Sequence, residues 1–142
     1  MLADAHRKAA EDIESTILSL QAQPRAARVI IEGAWGAAFQ RIAFGCETKY
    51  QHHLNNHTRL GRFLRSLSEK AAADWWEALD LTRQAGWYGG EPDPADAHKA
   101  LSLLEQIRLW PHNERKKYHA TRPSSHTSLV RRRDERACQR YS

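Results

Sequence analysis

RAARVIIEGAWGAAFQRIAF, residues 25–44, decides the fold. Val29, Ile30, Ala34, Trp35, Ala37, Ala38, Phe39, Ile42 and Phe44 fall at helical spacing but occupy more than one face, the pattern of a helix surrounded by others. Gly33 and Gly36 lower helix propensity, and their use beside Trp35 is close approach by a neighbouring helix. Gly45 is expected to end the element.

Outward from this central segment, residues 3–21 form a covering helix with Ile13, Ile17, Leu18 and Leu20 as an imperfect stripe, stopped by Pro24. A polar connection over 45–56 leads to a short helix over 57–67, with Leu60, Phe63, Leu64 and Leu67 inward. Ser66 paired with Glu69, or Ser68 alone, is expected to cap the next helix, 69–85, which carries Ala72, Trp75, Trp76 and Leu79 inward. The last helix, 93–111, has the clearest start: Asp93 at the cap, Pro94 at the first position, Asp96 for the dipole, then Ala97, Ala100, Leu101, Leu104 and Ile107 as a stripe. No segment alternates with period two, so the expected fold is an all-α, five-helix bundle in one domain, 1–111.

Residues 112–142 read differently. Leu129 and Val130 are their only large aliphatics, and nine Lys or Arg, among them Arg131, Arg132 and Arg133, face Glu114, Asp134 and Glu135. That tail carries +6, so the rest of the chain carries −1 of the formal +5. A basic tail of this composition is expected to be disordered alone and either to solubilise the chain or to contact a polyanion, nucleic acid foremost. No apolar run approaches the roughly 20 residues that cross a bilayer, and acids are spread through residues 1–14, so a soluble, cytoplasmic protein without a membrane partner is expected. Cys46 and Cys138 lie too far apart in sequence to suggest a structural disulfide.

The segment 81–90, from Leu81 to Gly90, holds the chemistry. Arg83 stands near a helix end five positions before Tyr88, with Gly89 and Gly90 following. A permanent cation and an aromatic hydroxyl at one open corner suit a phosphate, and Trp87 offers a ring on which a base can stack. The alternative is that Arg83 neutralises its helix C-terminus while Tyr88 packs. Arg59, Arg62 and Arg65, at spacings of three, form a basic side to the short helix; beside Arg83 they would converge on phosphate, and otherwise they are a solvated face. His57 opens that helix. Cys46, His52, His53 and His57 have no C-x-x-C partner spacing, so no metal site and no cofactor are expected from them. No phosphate-binding glycine loop, serine elbow or paired-carboxylate arrangement is present.

Over residues 25–110 the order of these features resembles the HEPN superfamily, small helical nucleotide- and RNA-associated domains of prokaryotic toxin–antitoxin and defence systems. The resemblance rests on the central Glu32-Gly33-Ala34-Trp35-Gly36-Ala37-Ala38-Phe39, on Asn56-His57-Thr58-Arg59-Leu60, on Arg83-Gln84-Ala85-Gly86-Trp87-Tyr88-Gly89, and on the acidic opening at 92–97. It implies a homodimer that meets through the 83–90 corner and binds RNA, a nucleotide or a cognate protein partner such as an antitoxin, with Arg83, Trp87, Arg59 and Arg62 on the nucleic acid and the 131–133 arginines adding affinity. HEPN ribonucleases cleave without metal through an arginine, a polar residue, three variable residues and a histidine. Here Gln84 holds the polar position and Tyr88 the histidine's. A phenol titrating near pH ~10 is a poor general base, which implies a degenerate site. The alternatives are a metal-independent endoribonuclease using Arg83 with Tyr88 or His57, and a structural module that pairs with a nucleotidyltransferase-type partner.

Overall fold

Small side chains let helices approach closely, and the central helix is rich in them. The computed structural model describes residues 2–113. Among these, α1 is Leu2–Ser19, α2 Ala27–Tyr50, α3 Leu60–Ser66, α4 Lys70–Tyr88 and α5 Pro94–Asn113, with one 3-10 turn at Pro24–Ala26 and no strand. The described residues form an all-α five-helix bundle. The expected tail, 112–142, lies outside the described residues except for His112 and Asn113, which continue α5. No helix among the described residues is long and apolar enough to cross a membrane.

The centre is α2, which packs against α1, α4 and α5 and buries Ile30, Ile31, Ala34, Ala37, Ala38, Ile42 and Cys46 around its circumference. Along one side, α1 seals the core with Ala10 and Ile17 and ties itself to α2 through a bidentate ion pair. Arg41 Nε and Nη2 donate to Glu14 Oε1 and Oε2 at 2.8 and 2.7 Å. On α5, Ala97, Ala100, Leu104, Ile107 and Trp110 form the buried stripe. Its start is a reciprocal cap, with Asp93 N–H donating to Asp96 Oδ2 (3.1 Å) and Asp96 N–H to Asp93 Oδ1 (3.0 Å). Pro111 fits inside the last turn, where few backbone bonds are lost.

Helix boundaries differ from the sequence reading at several points. Gly45 does not end α2, which runs on to Tyr50 and stops at Gln51, a left-handed residue with φ 52°. Gly45 lies instead beneath Trp110, whose Cζ3 would be 2.4 Å from an added Cβ. The short helix begins at Leu60 rather than at residue 57, because the Asn56 side chain accepts the Thr58 N–H (3.0 Å) and Arg59 takes φ 60°. Neither serine caps α4: Ser66 Oγ donates back to the Phe63 carbonyl (2.6 Å) and Ser68 turns the chain at φ 62°.

The residue at the head of α4 is Glu69, whose carboxylate turns inward rather than capping its own helix. It accepts hydrogen bonds from Lys49 and Tyr50 at the end of α2 and, at 2.7 Å, from Trp110 Nε1 on α5. Burial alone raises the Glu69 pKa, but the bonds from Lys49, Tyr50 and Trp110 outweigh it and hold the carboxyl below its ordinary 4.5. A carboxyl with a depressed folded pKa stabilises the fold at pH above its unfolded value, and the contribution is lost as pH falls through the folded one. Urea melts across the acid range should therefore show stability falling below about pH 4.5, with a flatter acid limb in Glu69→Gln; equal limbs would remove Glu69 from the acid sensitivity.

The glycines of α2 separate by the same kind of measurement. A Cβ on Gly33 would sit 2.2 Å from Ile17 Cγ2, whereas one on Gly36 meets nothing nearer than 3.9 Å, so only Gly33 serves the expected close approach. Gly36→Ala should raise stability by about 0.5–1 kcal/mol through helix propensity. Gly45→Ala should lower it by about 1–3 kcal/mol, because the buried Trp110 ring has nowhere to move. Denaturant midpoints of the two variants on either side of wild type are the expected result.

Candidate nucleic-acid interface

Sequence reasoning ends the fourth helix near Ala85; α4 in fact stays helical through Tyr88, with Gly89 as its cap. On a continuous helix, residues four apart are offset by about 40° and residues five apart by about 140°. Arg83 and Trp87 therefore share a face, and Tyr88 leaves it. Glu32 of α2 receives both: Arg83 Nε donates to Oε2 at 2.8 Å and Trp87 Nε1 to Oε1 at 2.5 Å. Tyr88 is 90% exposed, and no side-chain partner is found for it among the described residues. Glu32 is the one acid between Ala27 and Phe44, and sequence reasoning quoted it within the Glu32 to Phe39 motif without giving it a partner.

Trp35, one turn further along α2, gathers the remaining groups. The Arg83 guanidinium lies 4.4 Å from its ring centroid, and the exposed His57 ring meets it edge-on at 4.8 Å. Beneath, Trp76 packs at 5.3 Å. Trp35 Nε1 donates to Asp80 Oδ1 (2.8 Å), and Gln84 Nε2 donates to the other oxygen of Asp80 (2.7 Å). The structure thus brings Arg83, His57 and Gln84 around one tryptophan. Arg28 covers Trp87 at 5.0 Å, leaving that ring 59% exposed.

Past His57 the loop opens into a cleft of about 490 Å³ between residues 52–59 and the outer side of α3, lined by His52, His53, Asn56, Arg59, Arg62 and Phe63 among others. Neither Arg59 nor Arg62 pairs with a carboxylate among the described residues, whereas Arg65 donates to Asp74 (2.9 Å) and Glu77 (2.7 Å). The basic side of α3 is therefore two open arginines and one committed one. Arg131, Arg132 and Arg133 lie outside the described residues.

The Cys46 and histidine set does not converge. Cys46 is fully buried, and burial, reinforced by Glu69, pushes its thiol up to about 12. His52 stacks on Phe63 at 4.6 Å, His57 on Trp35, and His53 on His6 of α1 at 5.4 Å. No protein-family model, curated protein or solved structure matches the chain.

The arginine pairs that tie α1 and α4 to α2 differ in what they hold. Arg41 and Glu14 have side chains 9% and 15% exposed, whereas Arg83 and Glu32 are 30% and 33% exposed. Removing one partner from the first leaves a buried charge, at about 3–5 kcal/mol; from the second the loss is about 0–1 kcal/mol. Chemical denaturation should accordingly rank Arg41→Ala far below Arg83→Ala in stability, and similar losses would contradict the assignment of Arg83 to a surface pair.

Proposed function

We propose that the chain is a HEPN-like module that binds RNA or a nucleotide, in a toxin–antitoxin, defence or RNA-processing setting, with the cleft over 52–66 as its phosphate site. One observation carries the reading: Arg59 and Arg62 line an open cleft without carboxylate partners, beside the polar loop that holds His57. A volume near 490 Å³ falls in the range of pockets that take small ligands. Two arginines supply planar donors for phosphate oxygens, and the exposed rings of His52 and His57 supply stacking surfaces at either end of the loop. Arg83 plays a lesser part than the resemblance implies. Its charge is already met by Glu32, so it orders the Trp35 and His57 edge of the site and engages phosphate only when a ligand displaces that carboxylate.

Binding is favoured over cleavage. An arginine stabilises charge developing on phosphorus only if that charge is not already neutralised, and Tyr88 faces away from the Arg83 side of α4. Within one chain Tyr88 therefore does not stand beside Arg83, and the ribonuclease alternative is left with His57, which shares Trp35 with an arginine already paired to Glu32.

A second reading is supported by a different surface. Val29 and Trp87 are exposed beside Arg28 and Glu32, and Leu81 and Tyr88 are exposed on another side of α4; large exposed apolar side chains suit a protein partner, whether a second copy of the chain or a nucleotidyltransferase-type antitoxin.

Fluorescence anisotropy with a labelled single-stranded RNA separates the two. Every phosphate that an arginine neutralises adds about 0.7 to the steepness of log affinity against log salt. Arg59→Ala with Arg62→Ala should weaken binding and make the slope shallower by about 1.4, the share of two neutralised phosphates. Unchanged affinity and slope in the folded double variant would move the function to the Val29 and Trp87 surface.

A further inference from the structure

On the side of the loop that faces α1, His6, Glu47 and His53 each offer a ligand atom, and the three atoms lie within 4.8 Å of one another. They come from three separate parts of the chain: the first turns of α1, the last turns of α2, and the loop after it. His6 Nε2 and Glu47 Oε2 are both shielded from solvent and hydrogen-bond to nothing among the described residues. A buried acceptor without a partner is costly, and two of them facing the same imidazole call for a shared occupant. The other nitrogen of His6 explains their orientation. Nδ1 lies 2.6 Å from Gln40 Oε1, and since an amide oxygen only accepts, the neutral ring in this arrangement has its proton on Nδ1 and its lone pair on Nε2. That is the arrangement in which a polar neighbour fixes the tautomer of a metal-binding histidine.

The backbone delivers His53 to this point. Gln51, at φ 52°, ends α2 with its N–H on Glu47 O (3.1 Å), and the His52 N–H reaches back to Cys46 O (3.3 Å). The chain therefore doubles over the end of α2, Leu54 anchors it in the core, and the His53 ring settles on that of His6. We propose that His6, Glu47 and His53 form a zinc site, with water in the fourth position, that clamps α1 and the 51–59 loop to the end of α2.

Two imidazoles and one carboxylate suit Zn²⁺ over Mg²⁺ or Ca²⁺, which take oxygen ligands. In a tetrahedral site, ligand atoms about 2.0–2.2 Å from zinc are about 3.3–3.6 Å apart. Reaching that spacing from within 4.8 Å takes side-chain rotation, for which the exposed position of His53 leaves room. Gln40 acts as a positioning residue through His6. The site shares His53 with the lining of the cleft, but its test contains no RNA and does not depend on the RNA-binding reading.

Zn²⁺ alone is titrated into the chelator-treated full-length chain, with calorimetry for stoichiometry and thermal melting for stability; Co²⁺ replaces it for visible absorption. The expected result is one Zn²⁺ per chain, a Tm raised by Zn²⁺, and a Co²⁺ spectrum of a four-coordinate rather than hydrated ion. His53→Ala, at an exposed position, should still fold in chelator, with a small loss of Tm from its contact with His6, and lower Zn²⁺ affinity at least tenfold. Glu47→Gln, which keeps the shape and removes the charge, should also abolish the Zn²⁺-dependent rise in Tm. Cys138→Ser should bind as wild type does. No rise in the Tm of wild type, or the same affinity and Tm rise in wild type, His53→Ala and Glu47→Gln, overturns the proposal and assigns any residual zinc to other histidines or to Cys138.

Discussion

A single buried carboxylate, that of Glu69, joins the ends of three helices. Its side chain accepts hydrogen bonds from Lys49 and Tyr50 of α2 and from Trp110 of α5, while its backbone carbonyl accepts the Ala73 N–H (3.0 Å) and its N–H reaches Leu64 O (2.9 Å) at the end of α3. An isolated charge in such a place is expensive, and one neighbouring cation with two neutral donors makes it tolerable. The geometry then constrains everything nearby. Trp110, held by its bond to Glu69, has its ring 2.4 Å from where a Cβ of residue 45 would stand, so glycine there makes room for it. Lys49 and Tyr50 must remain helical to reach it, which carries α2 past Gly45 and places the turn at Gln51.

That constraint explains where the sequence was readable and where it was not. The apolar stripe of α5, the cap at Asp93 and the all-round burial of α2 were legible because each is local: helical spacing and cap chemistry need only the neighbouring residues. The ends of α2 and α4 were not. A glycine after Phe44 reads locally as a stop, and only a tryptophan far along the chain, on α5, reveals it as a packing gap. Likewise Ser66 and Ser68 have cap chemistry, but the residue actually at the cap, Glu69, spends its side chain on distant partners. Long-range ion pairs and ring contacts leave no periodic trace.

The candidate site divides along the same line. That Arg59 and Arg62 share the outer side of the short helix follows from spacing, and the structure places both in the open cleft. That Arg65, on the same helix, is consumed by Asp74 and Glu77 depends on where α4 passes. The case of Arg83 is sharper. Its environment turned on whether the chain stays helical for three residues past Ala85, since that alone decides whether Trp87 or Tyr88 stands beside it. The helix continues, Trp87 joins Arg83 on Glu32, and the corner becomes a closed ion pair with its tyrosine outside.

The 51–59 loop is where these constraints meet. Its start is fixed by the left-handed turn at Gln51, its middle by the burial of Leu54, and its end by the Asn56 turn and the left-handed Arg59. Between those fixed points three histidines are divided: His52 stacks on Phe63 of α3, His53 on His6 of α1, and His57 on Trp35 of α2. Each ring ties the loop to a different helix, so the walls of the cleft cannot shift without loosening at least one of them. The arginines at its mouth are therefore held over a preformed surface, which lowers the ordering cost that any phosphate-bearing ligand must meet on binding. A loop rich in polar residues looks free in sequence; here its anchoring comes from aromatic contacts with helices that sequence spacing does not connect to it.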